Sequence, residues 1–192
     1  MAITDSRLRI EVEHARQAGY IPVYRDVARR YGFTTALLLG KDSRESCLGL
    51  CLDAEFKGDS GNGWGLSQID RRFHPAFTSS HDPRDHPAVI DYGARLLRTA
   101  TDRFTTVREG LVAYNAGPDA VIDAQAQGLD VDAFTTGRDY SRDVLSRADR
   151  IAQMYPDYGK RPALADPGWI VSILLGGGML YLATDYYRSR VM

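Results

Sequence analysis

The sequence predicts a mainly α fold of the α+β kind: a helical body, a small β-hairpin beside one central helix, and a C-terminal apolar helix. Three observations predict it. Segments with helical hydrophobic spacing are punctuated by single glycines. One stretch, 53–65, holds glycines at 58, 61, 63 and 65 and leads into alternation from Trp64 to Asp70. A late run, Trp169 to Ala183, carries no charge. With 192 residues and 44% hydrophobic content the chain can bury one ordinary core. The expected organisation is one domain over 1–156, with N-terminal helices in 1–32, then a linker at 157–167, an apolar helix at 168–187 and a tail at 188–192.

Each element has a local reason. Residues 4–18 place Leu8, Val12 and Ala15 at helical spacing and stop at Gly19. A second helix, 22–31, opens on Pro22, whose fixed φ suits a first turn, and stops at Gly32. Thr34 or Thr35 can cap the next, running to Leu48, where Ala36, Leu37, Leu38 and Leu39 are too apolar for a surface element and predict a buried one. The glycines of 53–65 forbid regular helix, and Trp64 to Asp70 is expected as a short strand. Helices follow at His86 to Phe104, Thr106 to Ala116, Pro118 to Gln127 and Arg138 to Tyr155, separated by Gly117, Gly128 and Gly137.

Composition excludes some functions. Lys+Arg 24 against Asp+Glu 25 gives a formal charge of -1, which draws the chain neither to nucleic acid nor to an anionic surface. Charges recur every few residues in the first turns of the chain, so no secretory signal is expected there. Cys47 and Cys51, four apart, would stack on successive turns of a continuous helix, where a bond is poorly placed; a free buried pair is expected unless Gly49 breaks the helix. His81, Asp82, Asp85 and His86 have no tight ligand spacing and are expected as a solvated loop, with no metal.

The charge-free run would rise about 22 Å as a helix, and extension through Tyr187 brings it near a ~30 Å hydrocarbon core. Trp169, Tyr186 and Tyr187 stand where interface anchors would. Gly176 to Gly178 would cost about 1 kcal/mol each in an aqueous helix, whereas membrane helices use such residues for close packing. A membrane helix is therefore expected, with Gly168, Ser172 and Gly176 as a small-residue stripe for self-association.

The chemistry lies in the acids. Glu45 closes an apolar helix, while Asp59 and Asp70 bracket the Gly-rich segment. Glycosidic bond cleavage needs such a pairing, with one protonated acid and an ionised carboxylate across the scissile bond. Burial against Leu38 and Leu48 would disfavour the Glu45 anion and keep the acid protonated.

Three motifs strengthen this reading: Ser-Arg-Glu-Ser at 43–46, Gly-Asn-Gly-Trp-Gly-Leu-Ser-Gln-Ile-Asp at 61–70 and Ala-Tyr-Asn-Ala-Gly at 113–117. In this order and spacing the chain resembles goose-type lysozymes and their relatives, the soluble lytic transglycosylases, from about Ala36 to Arg150. The resemblance implies Glu45 as catalytic acid and Asp59 and Asp70 as the aspartates that hold the attacking water. It implies Gln68, His74, Tyr114, Asn115 and Tyr140 as the lining of the sugar cleft. Departures are Ser67, where the family usually has Met, and Cys-Leu-Gly-Leu-Cys after the helix.

Transglycosylases of this fold work with the Glu alone, and this chain offers two aspartates as well. The resemblance therefore implies a muramidase that cleaves the MurNAc-GlcNAc β-1,4 bond of peptidoglycan by water attack, inverting if the carboxyls stand about 6.5 to 9.5 Å apart. No cofactor is needed. The alternatives are a transglycosylase leaving 1,6-anhydro ends, and a membrane-anchored glycan-binding protein without activity. A C-terminal apolar segment without a signal peptide fits a phage muralytic enzyme, in a virion or at the host inner membrane.

Overall fold

The computed structural model describes residues 3–161. The expected apolar helix at 168–187 and its small-residue stripe lie outside the described residues, among which no helix is long and apolar enough to cross a membrane.

The described chain is mainly helical, with one small antiparallel sheet. Helix α1 (Asp5–Gln17) starts where the Thr4 hydroxyl accepts from the Arg7 amide, and it buries Leu8, Val12 and Ala15. Helix α2 (Ile21–Tyr31) has Pro22 in its first turn and ends on left-handed Gly32. Helix α3 (Thr35–Ser46), capped by Thr34, buries Ala36 to Leu39, and it also buries Lys41, Asp42 and Ser43. Helices α5 (His86–Thr101), α6 (Val107–Ala116), α7 (Pro118–Ala126) and α8 (Tyr140–Met154) lie within three residues of their expected bounds. A one-turn helix α4 (Pro75–Ser80), for which the sequence offered no periodicity, fills the gap before α5. Helix α9 (Pro156–Gly159) buries Tyr158 where the sequence reading begins a linker.

Two expectations need correction. Trp64 to Asp70 is not one strand: β1 (Lys57–Gly58), β2 (Gly63–Trp64) and β3 (Ile69–Asp70) form a three-stranded sheet in that order. The chain turns back within 65–68 because Gly65 and Gln68 both take positive φ, and the Gln68 amide closes the turn on the Gly65 carbonyl at 3.1 Å. The cysteines are also not free, since Cys47 and Cys51 form a disulfide. Left-handed Cys47 and Leu48 stop the helix before Gly49 and bring the two Cα atoms to 5.4 Å, inside bridging range.

The core packs around α3. At Gly40 a Cβ would stand 2.9 Å from the Val144 carbonyl and the Ala148 amide, so only glycine lets α8 come this close. The start of α8 is fixed by Asp132, whose buried carboxylate accepts from the Ser141 amide at 2.8 Å and the Ser141 hydroxyl at 2.7 Å. Arg108 completes this cap from α6 at 3.2 Å. Burial disfavours the Asp132 anion, but the bonds from Ser141, Arg108 and Arg142 outweigh it and hold its pKa below the usual carboxylate value. Its stabilisation is therefore full above the ordinary aspartate range and fades as the pH falls through it. Asp132→Ala is expected to cost about 3 kcal/mol in urea unfolding at pH 7, with a smaller difference at pH 3; equal stability at pH 7 would refute the capping role.

Candidate active site

Glu45 sits in the last turn of α3 and is only partly exposed. Ser46 next to it donates to the Leu66 carbonyl at 2.7 Å, which pins the β2–β3 turn beside the end of the helix. Helix α8 enters with its first residue, Tyr140, whose buried hydroxyl donates to Glu45 Oε1. Desolvation dominates the carboxyl's behaviour and pushes its pKa up to about 7, against the opposing pull of Lys41 and the Tyr140 bond. An acid with such a value is still largely protonated in mildly acid solution and can donate there.

The opposite wall is the sheet. A cleft of about 840 Å³ opens between them, lined by Glu45, Asp59, Gln68, Asp70, His74, Tyr114 and Asn115. Seven of the eight residues expected from the sequence thus meet in one cavity; the eighth, Tyr140, reaches Glu45 from the buried side.

Arg72, also in the cleft wall, organises the aspartates. Its guanidinium donates to both oxygens of Asp70, at 2.6 to 3.1 Å, and to Asp59 at 3.0 Å, and its own amide donates to Asp70 at 2.8 Å. These bonds, the side-chain ones first, hold the Asp70 carboxyl below its ordinary value. Asp59 and Ser60 take positive φ, a costly conformation for residues other than glycine, and Asp59 is presented to Arg72 from it.

The remaining lining residues have definite anchors. Gln68 lies across the paired glycines of β1 and β2: a Cβ at Gly58 or Gly63 would stand 2.1 Å from its Oε1. Its amide nitrogen donates to the Gly65 carbonyl at 2.8 Å. His74 bonds the Tyr92 hydroxyl at 3.1 Å, and burial lowers its pKa. Tyr114 donates to the Ser67 carbonyl at 3.0 Å, and Asn115 accepts from the Thr136 amide at 3.0 Å.

Sequence reasoning missed Arg72 and Thr136 in the cleft, and the Lys41–Asp42 pair beneath it. The signal for Arg72 was its position two residues after Asp70; the signal for Lys41 was a cation one turn before Glu45 on an otherwise apolar helix face. Among the described residues no cluster of His, Cys, Asp and Glu converges as a metal site. His81 stacks on Phe77 while His86 packs against Tyr20 and Phe56.

A family model described as lysozyme g matches residues 3–155. Lysozyme g of Gallus gallus is 31% identical over 148 residues, covering 72% of this chain and 68% of that protein. Lysozyme g of Struthio camelus is 30% identical over 146 residues, 73% and 67% respectively. Lysozyme G of Dromaius novaehollandiae is 28% identical over 163 residues, covering 82% and 76%.

A carboxyl raised from 4.5 to about 7 has a cost. Between those values the folded state holds a proton that the unfolded state has released, so stability falls as the pH rises and the loss is complete above about 7. Glu45→Gln, which keeps the shape and can accept from Tyr140, is therefore expected to stabilise the fold by on the order of 2–3 kcal/mol at pH 8 and by little at pH 4.5. Thermal or urea unfolding at the two pH values checks this; equal gains at both would show that Glu45 titrates normally.

Proposed function

The chain belongs to the lysozyme g family, and on that premise we propose that Glu45 is its general acid, with Asp59 and Asp70 holding the attacking water. It is a glycoside hydrolase of the lysozyme kind, and its substrate is the glycan of peptidoglycan. The observation that carries the assignment of roles is the contrast within one cleft: Glu45 is kept protonated to about pH 7, while Asp70 is held ionised by Arg72.

The steps follow from that contrast. Glu45 protonates the glycosidic oxygen between MurNAc and GlcNAc as the bond breaks, the GlcNAc leaves as the alcohol, and positive charge develops on the anomeric carbon of MurNAc. Asp59 and Asp70, on the sheet wall, orient a water toward the face of that carbon opposite the leaving group and take up its proton. Arg72 fixes both carboxylates in one geometry, which spares the cost of ordering them when substrate binds. Gln68, His74, Tyr114 and Asn115 present polar edges along the cleft, suited to sugar hydroxyls.

Attachment of the domain to a membrane through residues 168–187, in a virion or at a host inner membrane, is the further part of the proposal. Its support is the charge-free run Trp169 to Ala183, its aromatic flanks and its glycine triplet.

Glu45→Gln is expected to lower lysis of purified wall by about 10²-fold or more, since the amide cannot donate the proton. Products of the unaltered protein should carry reducing ends by mass spectrometry; 1,6-anhydro ends would mean that no water attacks and that the aspartates have another role. The intact chain should stay with membranes through carbonate extraction, and its release into the aqueous phase would remove the anchoring proposal.

A further inference from the structure

Beneath the cleft lies a charged layer that the proposed chemistry does not use. Lys41 and Asp42 are each about 1% exposed, in the middle of α3. Lys41 Nζ donates to Asp42 Oδ1 at 2.5 Å and to the Tyr114 hydroxyl at 3.3 Å, and stands 4.9 Å from the centre of the Tyr114 ring. The second Asp42 oxygen accepts from the Tyr24 hydroxyl at 2.7 Å and the Ser67 hydroxyl at 3.1 Å. Room for the layer comes from α5: at Gly93 a Cβ would lie 2.5 Å from Ser67 Oγ and 3.2 Å from Lys41 Nζ.

Such a pair is costly to bury and is poor evidence of stability, since apolar residues of similar volume do as well or better. Its place in the fold gives it another use. Lys41 is one helical turn before Glu45, on the same face of α3, and its ammonium touches Tyr114, a residue of the cleft wall.

We propose that Lys41 and Asp42 are positioning residues for Glu45: a buried ion pair that seats Tyr114 and, through opposed fields on the Glu45 carboxyl, adjusts the pH at which the acid stops working. The proposal rests on Glu45 being the general acid. Burial opposes the Lys41 charge, and Asp42, Tyr114 and Glu45 more than offset it, so the cation persists throughout the working pH range.

The other groups facing Glu45 cannot substitute for the pair. Arg44, on α3, is committed to Asp139 and Asp143 at 3.0 and 2.9 Å. Tyr114 from α6, partly buried, and Tyr140 from α8, fully buried, are phenols with raised pKa values, neutral where Glu45 titrates. Asp59, Asp70, Arg72 and His74 lie on the far wall, where Arg72 is paired with both aspartates. Among the charged groups acting on the Glu45 carboxyl, Lys41 is the strongest and favours its anion, Asp42 acts in the opposite sense, and Arg44 adds a weaker pull in the sense of Lys41.

The test is a signed pair of shifts that loss of packing would not produce. Carbon-13 titration of the Glu45 carboxyl in the full chain, identified by its disappearance in Glu45→Gln, reads the effect without substrate, and the alkaline limit of wall lysis reads it in turnover. Lys41→Met is expected to move both upward by about one pH unit, and Asp42→Asn to move both downward by about half a unit. Shifts in the same direction, or none, overturn the proposal. If Lys41→Met does not fold, the Lys41→Met/Asp42→Asn double variant carries the test: it must titrate above Asp42→Asn alone, and equal values overturn the proposal. Opposite shifts in the titration of a protein that never lyses wall would sustain the pair and refute the muramidase reading instead.

Discussion

The close crossing of α3 and α8 is the constraint from which the site follows. With no side chain at Gly40 the two backbones meet, and the charges along the seam are then forced into fixed partnerships. Arg147 of α8 donates to Ser43 at 2.8 Å, Ser43 donates to the buried Glu11 of α1 at 2.5 Å, and Arg44 reaches Asp143. Three helices are locked in register by this chain of bonds, and the register decides that Tyr140 arrives at Glu45. A buried carboxylate such as Glu11 would be costly alone; with Arg7 at 3.0 Å and Ser43 it is satisfied.

The two sides of the cleft treat the same chemical group in opposite ways. On the helical side a carboxyl is stripped of water at the negative end of a helix, and both effects favour the proton. Across the cleft, carboxylates on an exposed sheet meet a guanidinium whose fork suits them. Neither environment is unusual by itself. Their juxtaposition lets one cleft hold a carboxyl that keeps its proton beside one that does not.

Much of this was legible in the residues. Glycines mark where helices stop because few other residues take the left-handed conformation cheaply, so the ends of α2, α6 and α7 could be read within a few positions from Gly32, Gly117 and Gly128. The carboxylates could be read because their order and spacing match a known constellation. What escaped reading broke the same rule. Cys47, Leu48 and Gln68 take positive φ without being glycine, which hid the disulfide and turned one expected strand into two. Arg72 escaped because its role exists only once β3 brings Asp70 within reach of Asp59. Lys41 and Asp42 escaped because charged residues read as a solvated face, and the packing of α2, α5, α6 and the β2–β3 turn over them makes them internal. Ser67, a departure from the family motif, becomes intelligible once Asp42 is seen to need a donor.

The sheet has a consequence for how the aspartates are placed. Its strands are two residues long, and its hydrogen bonds are few and near solvent. Its β2–β3 turn is nonetheless tied to the core through Leu66, Ser67 and Ile69, each at most 2% exposed, and through the bond from Ser46 of the deeply packed helix α3. Asp70 therefore follows the core-tied turn, whereas Asp59, about 63% exposed, stands at the outer margin of the same wall. The shared bonds of Arg72 carry the fixed position of Asp70 over to Asp59, so the exposed carboxylate takes its placement from the anchored one.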